Sequence, residues 1–457
     1  MGHTAQNTQD ATASLVEANS ITVVPAAERH GHVRDLFTLW FTTNIAPLPM
    51  VTGAMAVQAY GLSLGWAVLA IVTGGLVGAA VLGACSAQGP RLGLAQMIQS
   101  RGQFGRYGAL FVVVIAMTLY LGFFTSNTVL GARSLHTLAP GVMLPIGAVI
   151  CALAAATIGI LGYNVIHWLN RVGLVVMAAA LVAAFVAVIA HLPRAELLAS
   201  RVTALGFLST FSLAAVWHIS YACYTSDYSR YLPASVGLRR PFLYSAAGAV
   251  LGASAAFIFG AAAVAGAPAG AEPMTVIATR TGWLGPVLMV LFLLNIVSHN
   301  ALNMYGAVLS IITAVQTFVA QWLPGRRARL VLSVLVLGGC LAMATLSANV
   351  FVPRFIALVI LLLLVLAPWA TINITDFYLI RHGEYDTDAM FAADGGRYGR
   401  FRRPAMIAYA VGVVVQIPFL ACSLYTGPVA LMLGGLDIGW MVAMPVTFAV
   451  YLFLART

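Results

Sequence analysis

Val216-Trp217-His218-Ile219-Ser220-Tyr221-Ala222-Cys223-Tyr224-Thr225-Ser226-Asp227-Tyr228-Ser229-Arg230-Tyr231-Leu232-Pro233 begins as the middle of an apolar helix and ends in tyrosines around Asp227 and Arg230. Trp217 and His218 stand where residues facing lipid would be expected. Donors and acceptors at membrane depth are costly unless they meet each other, water or a ligand. A helix of this kind has to face a cavity.

The rest of the chain supports a membrane setting. Of its 457 residues 61% are hydrophobic and 8% charged, with a mean hydropathy of +0.94, whereas charged residues make up about a quarter of a soluble domain. A hydrocarbon core of about 30 Å needs roughly 20 apolar residues per helical span, and such runs recur throughout. The alternation of a transmembrane barrel is absent, which leaves helices as the way to satisfy the backbone in lipid. The polar first thirty residues show no cleavable signal peptide.

Cys85, Cys151, Cys223, Cys340 and Cys422 sit singly and read as small core residues. All 23 basic residues are arginine, so a Walker-type phosphate loop and Schiff-base chemistry are excluded. The net charge of +10 is read as basic loops at a cytoplasmic membrane face, not as a nucleic-acid site.

Twelve spans are expected: 36–59, 63–84, 108–136, 142–163, 170–191, 206–226, 242–266, 284–318, 329–348, 354–377, 404–426 and 438–455. With the N-terminus inside, only Arg133, Arg194, Arg201, Arg280 and Arg354 fall outside, which orients the chain in the cell's inner (plasma) membrane with both termini cytoplasmic. The first span carries Pro47 and Pro49 near its middle, which predicts a break; broken backbone at that depth must line a cavity or be buried in protein. Residues 86–105 predict a short interfacial helix. The third span places Phe123 and Asn127 on one face, and the eighth carries Asn295, Ser298, His299, Asn300 and Asn303. Gly248 and Gly252 form a helix-packing surface.

Spans one to five and six to ten make two sets of five. Because five is odd, the second set enters from the opposite side, an inverted repeat in which the polar interruptions of spans one and six mark a midplane site. The expected divisions are a tail over 1–34, repeats over 35–194 and 195–380, a cytoplasmic loop over 381–403 and two additional spans over 404–457.

Three ordered motifs carry a resemblance: Ser226-Asp227-Tyr228-Ser229-Arg230-Tyr231-Leu232-Pro233; Gln88-Gly89-Pro90-Arg91 with Gln99-Ser100-Arg101 and Gln103-Phe104-Gly105; and Asp376-Phe377-Tyr378 to Asp386. Over essentially its whole length the chain resembles the nucleobase–cation symporters of the purine–cytosine permease and allantoin/hydantoin transporter type. The resemblance implies an all-α, leucine-transporter-type five-plus-five fold with two further helices, and symport of a nucleobase-like ring with a cation. In that family an aromatic pair from the third and sixth helices sandwiches the ring and amides of the third and eighth hold its edge. Matching positions are Phe123, Asn127, Trp217 or His218, Asn300 and Asn303. The implied cation site lies between the first and eighth helices, with the backbone near Thr43, Asn44 and Ala46 and the side chain of Ser298 as candidates. His299 stands where a second hydroxyl would suit sodium, so an imidazole leaves proton coupling open beside sodium. Asp227 and Arg230 are assigned to anchoring or gating at the cytoplasmic exit.

Stacking plus amide hydrogen bonds suits a neutral planar heterocycle, whereas an anion would favour arginine, and none lies mid-span. The competing readings are a cation-coupled carrier of amino acids or other small solutes, a passive channel and an integral-membrane enzyme. The last lacks paired acids, a His/Glu metal set and a nucleophile–base pattern. No cofactor is expected beyond the coupling cation.

Overall fold

The structure, a computed structural model, describes residues 22–161, 163–268, 270–319, 322, 325–346, 350–422 and 425–456. The expected polar tail falls outside these residues as far as position 21.

The first span is two helices, α1 (Val33–Asn44) and α2 (Pro47–Gln58). Proline at 47 cannot continue α1 but suits the first position of α2, and it holds Ala46 extended at φ −142°, ψ 161°. The chain continues through α3 (Leu64–Ser86), the short α4 (Gln88–Leu92) and α5 (Gln96–Phe104), then α6 (Leu110–Leu138), α7 (Leu144–Leu161), α8 (Tyr163–His191) and a five-residue α9 (Arg194–Leu198). The second half runs α10 (Ala204–Ala222), α11 (Ser226–Ser229), α12 (Arg239–Val264), α13 (Pro273–Arg280), α14 (Leu284–Phe318), α15 (Arg326–Leu346) and α16 (Phe351–Thr375). The chain then forms α17 (Arg403–Val414), α18 (Pro428–Met432) and α19 (Gly439–Arg456).

Every expected span holds a helix, yet two differ in form. The sixth contains no proline before Pro233, so α10 runs unbroken for 19 residues and is interrupted only at Cys223–Thr225. Its interruption therefore sits at one end of the span, not at its middle as in the first. In the eleventh, α17 is 12 residues long, about 18 Å, before a turn at Ile417–Phe419 and an antiparallel bridge between Ala421 and Thr426.

The helix contacts exchange when each helix of the first five is swapped for its counterpart in the second. The first span packs on α12 as α10 packs on α3; α7 packs on α14 as α15 packs on α6; α8 meets α1 as α16 meets α10. Small residues make the two principal contacts possible. A Cβ on Gly248 or Gly252 would run into the backbone of Phe37 or Phe41, and one on Gly74 or Gly78 into that of Phe211 or Ala215. Glycines four apart thus seat α12 on α1 and, at the related position, α3 on α10, giving backbone-to-backbone packing where lipid offers no hydrophobic driving force.

Candidate functional site

The break between α1 and α2 forms one wall of a cavity at the centre of the helix bundle. In a continuous helix the carbonyls of Thr43 and Ile45 would accept from residues 47 and 49, but both are proline and have no N–H. Those carbonyls are released where α1 ends and α2 begins. Thr43 and Ala46 line the cavity, together with Leu39 and Trp40 from α1 and Leu48 and Pro49 from α2.

Aromatic rings form the opposite wall. Trp217, Tyr221, Tyr224 and Tyr228 follow one another at spacings of four, three and four and all face the cavity, joined by Phe123 from α6. Phe123 stacks on Tyr221 with centroids 5.4 Å apart and planes 19° from parallel, and meets Trp217 edge-on at 5.8 Å and 76°. A flat ring held between two others needs them parallel and about 7 Å apart, two contacts of roughly 3.5 Å. Entry of such a ring between Phe123 and Trp217 has to turn one of them. The indole is the better fixed: its Nε1–H donates to Asn44 Oδ1 at 2.7 Å, and Phe257 packs against it at 5.5 Å.

The polar side comes from α6 and α14. Asn127 and Asn303 line the cavity, and each donates through Nδ2 to Oδ1 of Asn300, at 3.3 and 3.4 Å. Asn300 is fully buried and is pinned by its own donations to the Phe124 carbonyl and Thr128 Oγ1. It orients the other two amides, which keep hydrogen-bonding capacity at the cavity edge. His299 also lines the cavity: Nδ1 lies 3.0 Å from the Asn295 carbonyl, while Nε2 is buried with no hydrogen-bond partner among the described residues. Among the described lining residues none is Arg, Asp or Glu.

The structure thus brings Phe123, Asn127, Trp217, Asn303, Thr43, Ala46 and His299 to one cavity. Asn44 and Asn300 stand behind it as supports. Ser298 is buried in α14 and outside the lining. His218 faces away: its Nδ1 lies 2.9 Å from the Ala214 carbonyl and its ring, with Val250 and Ser254, surrounds Gly75 of α3. Trp40, Tyr221, Tyr224 and Tyr228 were not anticipated, although the four–three–four spacing from Trp217 onward is a helical face readable in the sequence. Trp40 packs on Tyr221 and Tyr228 at 5.6 and 5.9 Å.

Asp227 and Arg230 lie beyond this cavity, in a polar layer. Asp227 Oδ1 caps α5 by accepting from Gln96 N at 2.8 Å, and Gln96 Oε1 accepts from Ser226 N. Arg230 is buried and donates to Tyr231 Oη at 3.0 Å. Ser226 and Ser229 donate to the carbonyls of Cys85 and Ser86. On the other flank of α5, Arg101 reaches the Met390 carbonyl, Gln316 and Thr317; burial, and then Arg106 beside it, pushes its guanidinium down to about 10, so it stays charged at neutral pH. Asp376 completes the layer, accepting from Tyr385 Oη and Tyr451 Oη at 2.6 Å each and pairing with Arg381 at 3.1 Å and Arg402 at 3.7 Å.

Residues 23–443 match the model of a family described as permease for cytosine/purines, uracil, thiamine, allantoin. A putative purine-cytosine permease of Bacillus subtilis, YxlA, is 34% identical over 446 residues, covering 96% of each chain. The purine-cytosine permease fcyB of Emericella nidulans is 24% identical, over 93% of this chain and 85% of its own length. Among solved structures, Mhp1, a nucleobase-cation-symport-1 family transporter in a closed conformation with bromovinylhydantoin bound, superposes with a TM-score of 0.77 at 19% identity, covering 97% of this chain and 96% of its own. The fold is accordingly the leucine-transporter-type five-plus-five arrangement with two added helices.

Proposed function

The chain belongs to the family of permeases for cytosine and purines, uracil, thiamine and allantoin, and we propose that it imports a nucleobase or related heterocycle by symport with sodium or a proton. The observation that carries this reading is a cavity walled by Phe123, Trp217 and Tyr221 and edged by Asn127 and Asn303, beside a proline-broken helix. The aromatic faces take the two sides of a flat ring, and the amides read its donors and acceptors; a mismatched edge leaves buried polar groups unpaired, which is the stronger source of discrimination. The absence of a charged side chain among the described lining residues disfavours an anionic substrate.

The cation sits between the break and α14, on the backbone near Thr43, Asn44 and Ala46, where the carbonyls of Thr43 and Ile45 are released, with Ser298 as the hydroxyl. His299, whose Nε2 has no hydrogen-bond partner among the described residues and which lines the cavity, supports a proton as the second reading. Either ion moving one charge through 100 mV contributes about 2.3 kcal/mol, roughly fifty-fold accumulation. Alternating access follows from rocking of the repeats, 35–194 against 195–380, with the polar layer around Asp227 and Arg230 at the cytoplasmic side and both termini in the cytoplasm.

Thermal shift of the purified protein with cytosine, adenine, uracil, allantoin, hydantoin and amino acids, with and without sodium and at two pH values, tests ring and ion together. Stabilisation by a heterocycle that grows with sodium or with acidity is expected. Response to amino acids alone would sink the reading.

A further inference from the structure

Asn44 is the last residue of α1, immediately before the turn at Ile45 and Ala46. Its amide is tied at both ends: Nδ2 donates to the Trp40 carbonyl at 2.6 Å, and Oδ1 accepts the Trp217 indole N–H at 2.7 Å. Asn44 is fully buried and Trp217 is 3% exposed. These residues are 173 positions apart, on the two spans related by the internal repeat. The carbonyls released by Pro47 and Pro49 belong to Thr43 and Ile45, the two neighbours of Asn44.

We propose that the Asn44–Trp217 hydrogen bond is the link through which a cation at the helix break raises affinity for the ring, which makes Asn44 a positioning residue. The inference rests on the symport reading above. An ion that draws the carbonyls on either side of Asn44 inward fixes the backbone at that residue. An amide fastened to Trp40 and to the indole cannot turn independently of that backbone, so the indole is fixed with it. The indole is a wall of the cavity, and holding it in place lowers the ordering cost of binding a ring against it. By linkage, the ring must raise affinity for the ion by the same factor.

The test measures the dissociation constant of the detergent-solubilised full chain for whichever of cytosine, adenine, uracil, allantoin or hydantoin the wild type binds, in sodium against choline and at two pH values. The wild type is expected to bind about tenfold more tightly with the coupling ion, about 1.4 kcal/mol. Trp217→Phe keeps an aromatic ring and removes the donor; Asn44→Ala removes the acceptor. Each should cut the ion-dependent gain to about twofold or less, and the double variant should cut it no further, because both break one bond. The gain in the ion's own affinity on adding the ring should fall in step. A gain of wild-type size in Trp217→Phe overturns the link, even where overall affinity is weaker, and so does an additive loss in the double variant. Should Asn44→Ala fail to fold, Trp217→Phe decides alone. A wild type that binds the ring with no response to sodium or pH brings down symport itself, which the wild-type titration reports without any variant.

Discussion

The cavity and the polar layer beyond it are built in opposite ways. In the cavity, rings that stack on one another and amides with capacity to spare leave room for rearrangement. Phe123 and Tyr221 fill each other's faces, and Asn127 and Asn303 share one acceptor on Asn300. In the layer, groups are spoken for several times over: Asp376 alone gathers two tyrosines and two arginines, and α5 is held by Asp227 at one end and by Arg101 and Arg402 toward the other. A binding site must exchange its contacts with a ligand, while a seal between moving parts must make its contacts with itself. The division has a second consequence. All three motifs that identify the family lie in the layer, and from them only Tyr228 lines the cavity.

Asp376→Ala should give the largest effect. The carboxylate is fully buried, and removing it takes the counter-charge from Arg381 and Arg402, both less than a quarter exposed, and an acceptor from the hydroxyls of Tyr385 and Tyr451. Breaking such a pair from one side costs about 3–5 kcal/mol, so the melting temperature in detergent should drop by roughly 3–5 °C. Ring affinity of the protein that remains folded should hold within about twofold. Loss of affinity as large as the loss of stability would erase the distinction between the two regions.

Asn127→Ala should show the converse. Its partner Asn300 keeps Phe124, Thr128 and Asn303, so the melting temperature should move little. The dissociation constant should rise about 10- to 100-fold, the 1–3 kcal/mol of an unmatched polar edge. Titration calorimetry beside a melting curve separates the outcomes. A stability loss without an affinity loss would move Asn127 from the ligand edge to the scaffold.

How far these regions were legible in the sequence follows from their construction. The proline pair at 47 and 49 announced the break because proline acts through the backbone, wherever it is. Gly248 and Gly252 announced a contact, and Gly74 and Gly78 would have announced its counterpart by the same rule. The helix exit with Asp227 was assigned to anchoring or gating on helix counting; in the structure Asp227 caps α5. Adjacent residues of a helix diverge by about 100°, so Trp217 and His218 cannot both face one cavity, and only coordinates choose between them. Asn44 was read as a backbone donor to a cation; that its side chain holds an indole 173 residues away depends on tertiary packing. Tyr221 and Tyr224 share a helical face with Trp217, a pattern present in the sequence at spacings of four and three.

The smallest effect tests the edge of the layer. The last two spans read as an appendage in the sequence, yet α19 sends Tyr451 into the centre of the layer and Trp440 to Ser212 of α10, at 3.1 Å. Tyr451 Oη donates to Asp376 Oδ1 at 2.6 Å from a fully buried ring. Tyr451→Phe keeps that ring and deletes one of the carboxylate's partners, leaving Tyr385, Arg381 and Arg402. A hydrogen bond to a charged group contributes about 1.5–3 kcal/mol, and the remaining partners hold the loss to the low end, less than half that of Asp376→Ala. The melting temperature should fall by about 1.5 °C, with ring affinity unchanged. In the Asp376→Ala background the same substitution should cost nothing further, since its partner is gone. A full additional loss in that background would mean that the hydroxyl acts through a partner other than Asp376, and the layer would end at α16.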